Sequence, residues 1–179
     1  MSPRIVPGQV RDLFVQEWLA CTLRTYPDQT GRFLHEERDP FRNPVGSTFR
    51  AAFDVLAAEL FGAFDRTRVI KALDAVVRIR AVQDFTQAEA VAFVPLARDA
   101  VQRATCAGPS SVDPGVLALV ESRIDELAIL AAEALRACRD EIREIGARAA
   151  RRRVFVPERV RARALSRAEA PPPPRGNTA

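Results

Sequence analysis

The sequence contains few of the residues that catalytic sites and metal centres use. Its 179 residues include one histidine and three cysteines. Any Ser-His-Asp or Cys-His arrangement would depend on His35, which lies among charged residues. The cysteines, Cys21, Cys106 and Cys138, are widely spaced and form no Cys-x-x-Cys pair. We therefore predict no catalytic residue and no metal site, with Cys21 and Cys138 as small apolar core residues.

Signals for nucleotide binding and for membrane insertion are also missing. There is no Gly-x-x-x-x-Gly-Lys loop and no Gly-x-Gly-x-x-Gly motif, and the single lysine, Lys71, lies within a predicted helix. No stretch approaches the roughly 18 uncharged apolar residues of a membrane-spanning helix, and the first residues lack the apolar run of a signal peptide. We expect a cytoplasmic protein that is not an enzyme and has neither a cofactor nor a membrane contact.

Alternating strand patterns are absent, whereas apolar residues repeat at three- and four-residue intervals almost throughout. This periodicity predicts an all-α fold, a compact bundle of five to six helices. The short second helix, about 28–37, is expected to point Phe33 and Leu34 inward. Thr86 and Glu89 have the spacing of a capping box, and Pro95 predicts a kink or a loosened turn in the fifth helix.

A long C-terminal helix follows, predicted for residues 113–151, with Asp113 as its cap and Pro114 in its first turn. Its apolar stripe runs from Leu117 to Ile145 at close to heptad spacing, with a break at Glu141. Such a stripe can pair with a copy of itself or cover the domain, and we expect a homodimer. Residues 152–179 are basic and Pro-rich, which predicts a mostly disordered tail.

The basic charge is concentrated near the C-terminus, where residues 148–167 carry eight arginines and one acidic residue, Glu158. Clustered arginines can contact nucleic acid phosphates. Arginine replaces lysine almost throughout the chain, however, and only Phe155 interleaves the run. A compositional bias therefore accounts for the arginines better than nucleic-acid binding does.

Polar residues that local structure does not fully explain cluster in two connectors. The first cluster opens the third helix, whose free amides could hold an anion, and the second lies between the fourth helix and the Thr86 cap. If the segments meet, they form a polar pocket for a ligand or partner; otherwise the same residues tie down the connectors. The candidate binding residues are Asn43, Gly46, Ser47, Thr48, Arg78, Arg80, Gln83 and Asp84.

A family resemblance rests on several segments in a defined order. These are Trp18, Thr25-Tyr26-Pro27, Phe33-Leu34, residues 39–46, residues 78–86 and residues 90–93. Together they resemble the N-terminal domain of the RsbT co-antagonist RsbRD, over about residues 8–105. The rest of the chain lacks the strand-helix alternation of the STAS domain that follows in that family, and it looks like the C-terminal helix of standalone members.

The resemblance implies a helical sensor domain of stressosome-type stress-response signalling at residues 8–105, acting through protein-protein interaction. A STAS-domain protein or a kinase is the implied partner. Two alternatives stay open. One is an accessory subunit of a redox or sulfur-metabolism enzyme complex, and the other is a nucleic-acid-binding protein that uses the Arg-rich tail.

Overall fold

The computed structural model describes residues 8–83, 85–107 and 112–168, with side chains described as far as residue 152. Within these ranges every regular element is a helix, which confirms the predicted all-α fold with a long C-terminal helix. The chain divides into two compact units, Met1–Arg139 and Asp140–Ala179. The helices are α1 (Gly8–Leu23), α2 (Asp28–Glu36), α3 (Pro44–Phe61), α4 (Arg66–Ala81), α5 (Gln87–Val91), α6 (Leu96–Ala107) and α7 (Pro114–Ala168).

The core of the first unit is built around Trp18 of α1, which is fully buried. Its indole ring meets Phe53 of α3 edge-on, with ring centroids 4.3 Å apart, and it also packs against Phe14. The indole Nε1 donates a hydrogen bond of 2.6 Å to the carbonyl oxygen of Phe93. Because this bond satisfies the polar edge of the indole, the largest side chain of the core is buried without an unpaired donor.

The first part of α7 contributes buried residues to the core of the first unit. Seven of its residues are buried, namely Val120, Ile124, Leu127, Leu130, Ala131, Leu135 and Cys138. Arg123 fixes this helix to the end of α3 by donating a 2.6 Å hydrogen bond to the carbonyl oxygen of Leu60. Its guanidinium also lies over the ring of Phe64, a residue with left-handed backbone (φ 59°). The stripe of α7 is therefore part of the core as far as Cys138.

Capping side chains and a proline set several helix boundaries. Asp65 caps α4 by accepting from the amides of Thr67 and Arg68, and both hydrogen bonds of the Thr86–Glu89 capping box are present. Around Pro95 the chain forms turns between α5 and α6, so the predicted fifth helix is two helices. This is the loosened turn expected where proline removes an amide donor from a helix.

Two details differ from the expectations. Leu34 is buried as predicted, but the Phe33 side chain is 47% exposed, because neighbouring residues on one helix point in different directions and only Leu34 faces the core. The long helix, expected to end near residue 151, extends to Ala168. Alanine and arginine, which dominate this segment, both have high helix propensity. Residues 169–179 of the predicted disordered tail lie outside the described residues.

Candidate functional site

Arg80, at the end of α4, is fully buried and bonded on every side. Its Nε donates to the carbonyl oxygen of Ala90 at 3.0 Å, and one terminal nitrogen donates to that of Glu89 at 2.9 Å. Both terminal nitrogens also lie 3.2 Å from the hydroxyl oxygen of Thr25. The planar guanidinium thereby joins α4 to α5 and to the turn that follows α1.

Two aromatic rings enclose the Arg80 guanidinium. Its central carbon lies 4.1 Å from the centroid of Phe85 and 5.1 Å from that of Tyr26. The Tyr26 hydroxyl donates a 2.9 Å hydrogen bond to the side-chain oxygen of Gln83. Burial lowers the pKa of Arg80 and raises the pKa of Tyr26, because it disfavours the charged form of each. The protein groups around Arg80 thus enclose its own positive charge and do not form an open pocket.

Asn43 organises the other connector. It is 2% exposed, and its side-chain oxygen caps α3 by accepting from the Gly46 amide at 2.8 Å. Its Nδ2 donates to the carbonyl oxygens of Leu34 and Glu37, at 3.0 and 2.9 Å. One side chain thus closes the end of α2 and the start of α3. A Cβ on Gly46 would lie 2.6 Å from the Leu34 oxygen, so this close approach requires glycine.

Ser47 and Thr48 lie apart from this closed cluster, on the wall of a groove between α3 and α4. The groove has a volume of about 560 Å³, and small apolar residues such as Ala51 and Ala75 form much of its lining. Arg68 and Lys71 stand on its α4 side. The Thr48 hydroxyl donates to the carbonyl oxygen of Pro44 at 2.8 Å. The groove is therefore mainly apolar and bordered by positive charge.

The predicted site residues thus occupy different environments. Arg80 and Asn43 are buried, Gln83 is half-buried, and Arg78 is exposed with an ion pair to Asp74 at 2.8 Å. Asp84 lies outside the described residues. Among described residues, the hydrogen bonds of Arg80 and those of Asn43 share no partner. The described hydrogen bonds therefore do not join the two clusters into one polar pocket.

The most exposed aromatic residue described, Phe41, was not among the predicted site residues. Its side chain is 95% exposed at the tip of the connector between α2 and α3. The turn that carries it is well bonded, since a carboxylate oxygen of Asp39 accepts from the Phe41 amide at 2.9 Å, and Arg42 pairs with Glu37 at 3.3 Å. Val82, after α4, is 71% exposed. An aromatic residue in a two-proline turn was the sequence signal that could have identified this site.

Metal-binding groups and membrane helices can be assessed for the described part of the chain. No cluster of histidine, cysteine or carboxylate side chains there could hold a metal ion. Cys21 and Cys138 are buried thiols, and Cys106 is exposed. None of the described helices has the length and apolar character needed to cross a membrane.

A protein-family comparison identifies the relationship of the chain. The family model of the RsbT co-antagonist protein rsbRD N-terminal domain matches residues 12–153. The chain belongs to this family. The family consists of regulatory domains of stressosome-type signalling. The match to the rsbRD N-terminal domain includes the part of α7 that packs on the core. Neither a curated protein nor a solved structure matches the chain.

The Thr86–Glu89 capping box gives a pH-dependent prediction. Hydrogen bonds from the Thr86 side chain and backbone lower the pKa of Glu89. A carboxyl group whose pKa is lower in the folded state stabilises the fold above its unfolded pKa, about 4.3, and this contribution is lost as the pH falls through the folded pKa. We expect Glu89→Gln to melt slightly below the wild type at pH 7 and together with it near pH 3. Circular dichroism melts across this range test the prediction, and a difference that persists at low pH would contradict it.

Proposed function

We propose that this rsbRD N-terminal domain protein is a non-catalytic, cytoplasmic sensor or adaptor that acts as a homodimer through protein-protein contacts. Its responsive surface comprises the 39–48 connector and the 78–86 turn. A STAS-domain protein or a kinase of stressosome-type signalling is the proposed partner. The division into a sensor part at residues 8–105 and a helix at 113–151 that packs or dimerises is part of this proposal.

The exposure of Phe41 is the observation that carries the proposal. An aromatic ring that is 95% exposed gains more from burial in a partner than any other single side chain of the connector. The ring also has a defined position, because Asp39 and the Glu37–Arg42 pair hold the turn. A preordered contact loses less conformational freedom on binding than a mobile one, which favours its use in recognition.

The buried polar residues have a supporting role in this proposal. Asn43 and Gly46 fix the position of the connector that presents Phe41, and Arg80 fixes the turn that presents Val82. Gln83 holds Tyr26 beside Arg80. Arg78 is exposed and Ser47 and Thr48 are half-buried, and these residues would lie around the apolar contacts and provide the polar border that protein interfaces usually have.

We expect Phe41→Ala to reduce capture of the partner at least about fivefold, since aromatic anchors are the residues that most often dominate binding energy. The free energy of unfolding should change by less than about 0.5 kcal/mol, because the ring makes few contacts within the chain. The measurement is a pull-down with the tagged full chain from its native cell, quantified by mass spectrometry.

Phe33→Ala is the matched control, because Phe33 is also an exposed phenylalanine but lies on α2, outside the proposed surface. It should capture STAS-domain or kinase proteins as well as the wild type does. Equal recovery with Phe41→Ala would refute the proposed surface. Recovery of redox enzyme subunits instead of signalling proteins would refute the proposed pathway.

A further inference from the structure

The second unit contains an apolar row that nothing described in the chain covers. All side chains of residues 140–152 are exposed, including Ile142 at 40% and Ile145 at 59%. With Ala149 these residues repeat at intervals of three and four, so they lie on one face of the helix. Isolated exposed apolar residues are common, but a row at heptad spacing is typical of helices that pair.

The two borders of this row differ in charge and in size. On one border lie Glu141 and Arg148, one heptad apart and of opposite sign. On the other border lies Gly146, and a Cβ added there would meet no atom within 4 Å. Glycine is unfavourable inside a helix, and the packing of the described residues does not require it at this position. A second helix that approached closely at this position would require glycine there.

Only one relative orientation of two copies brings the opposite charges together. In an antiparallel helix pair, each border of one helix faces the same border of the other helix. Glu141 of one copy then lies opposite Arg148 of the other. The two-fold axis then passes between residues 144 and 145, so Gly146 lies within one helical turn of the point where the two helices meet. In a parallel pair unlike borders face each other, and Glu141 would lie beside the uncharged Gly146 border.

We propose that residues 140–152 form an antiparallel two-helix interface with the same segment of a second copy of this chain. Ile142, Ile145 and Ala149 form its apolar centre, and two symmetry-related Glu141–Arg148 pairs set its orientation. Within each copy Arg148 also contacts Glu144, and Glu141 has an interaction of its own; both side chains are exposed, where such contacts are easily exchanged. The inference rests on the homodimer of the proposed function and gives that dimer a location and a direction.

The test measures the dimer dissociation constant of the full chain by sedimentation equilibrium. Glu141→Arg and Arg148→Glu should each raise it about tenfold or more, because each places two like-charge pairs in the interface. The double variant Glu141→Arg with Arg148→Glu should return to near the wild-type value. Ile145→Ala should weaken the dimer at low and at high salt, because it removes an apolar contact. Added salt should weaken the wild-type dimer, because it screens the Glu141–Arg148 pairs.

Two controls use positions outside the interface. Arg151→Glu makes the same charge change as Arg148→Glu but on the opposite face of the helix, and it should leave the dissociation constant unchanged. Ile129→Ala removes an isoleucine that is 62% exposed in the first unit, and it should also have no effect.

The outcomes separate this inference from the proposed function. A wild-type chain that stays monomeric at all concentrations overturns the homodimer and the interface together. A dimer in which the double variant is no tighter than the single variants overturns the antiparallel interface alone. Partner capture through Phe41 is measured separately, so its failure would leave the dimer result standing.

Discussion

Replacing Arg80 by alanine should lower the free energy of unfolding by about 3 kcal/mol or more. The substitution removes the donors that this side chain provides to the carbonyl oxygens of Glu89 and of Ala90, which is fully buried. A buried polar group left without its partner costs about 1–3 kcal/mol, and the vacated volume between Tyr26 and Phe85 adds a cavity cost. Chemical denaturation monitored by circular dichroism measures the loss.

Two further variants show which property of Arg80 matters. Arg80→Lys retains the charge but not the planar fork, so we expect it to recover only a minor part of the lost stability. Arg78→Ala changes a neighbouring arginine that is exposed, and should alter stability by less than about 0.5 kcal/mol. If Arg80→Ala impairs partner capture while it leaves the melting temperature intact, Arg80 contacts the partner directly and our assignment of a supporting role is wrong.

The second large effect is expected for Asn43→Asp, which exchanges the side-chain amide nitrogen for an oxygen. Aspartate is as good a helix cap as asparagine, so the hydrogen bond from the Gly46 amide should persist. The oxygen that replaces Nδ2, however, would face the carbonyl oxygens of Leu34 and Glu37 in a buried site. We expect a loss of about 2–3 kcal/mol, because two attractive contacts become repulsive and a charge is buried.

The pH dependence of the Asn43→Asp variant is a sharper test than the size of its effect. Protonation of the introduced carboxylate restores one donor and removes the buried charge, so the deficit relative to the wild type should shrink as the pH falls. Asn43→Ala, which has neither donor nor charge, should show a deficit that changes little with pH. Equal stability of Asn43→Asp and the wild type at pH 7 would show that the amide donor is dispensable.

Much of the fold was predictable from local signals. The helix start at Thr86, the interruption at Pro95 and the all-α class each depend on residues close together in the chain, where capping and proline geometry act. The apolar stripe of α7 was also evident. Whether it covered the domain or a second copy was not, because periodicity specifies a face and not what packs against it.

The candidate site was harder to predict because its geometry depends on distant residues. Arg80 carries a charge and would ordinarily be exposed, and its burial depends on Thr25, which lies 55 positions away. The two polar clusters looked alike in sequence, yet each is closed by its own set of carbonyl oxygens. Phe41 was overlooked for the opposite reason, since apolar residues are expected inside and only the structure shows this ring to be outside.

The packing of Trp18 has a practical consequence for spectroscopy. It is the only tryptophan in the chain, and it is fully buried with its indole nitrogen bonded to the Phe93 carbonyl. Its fluorescence should therefore be blue-shifted in the folded protein and move to longer wavelength on unfolding, giving one optical signal for the state of the first unit. Changes confined to residues 140–152 should leave that emission unaltered. The emission therefore reports unfolding of the core without a contribution from self-association through that segment.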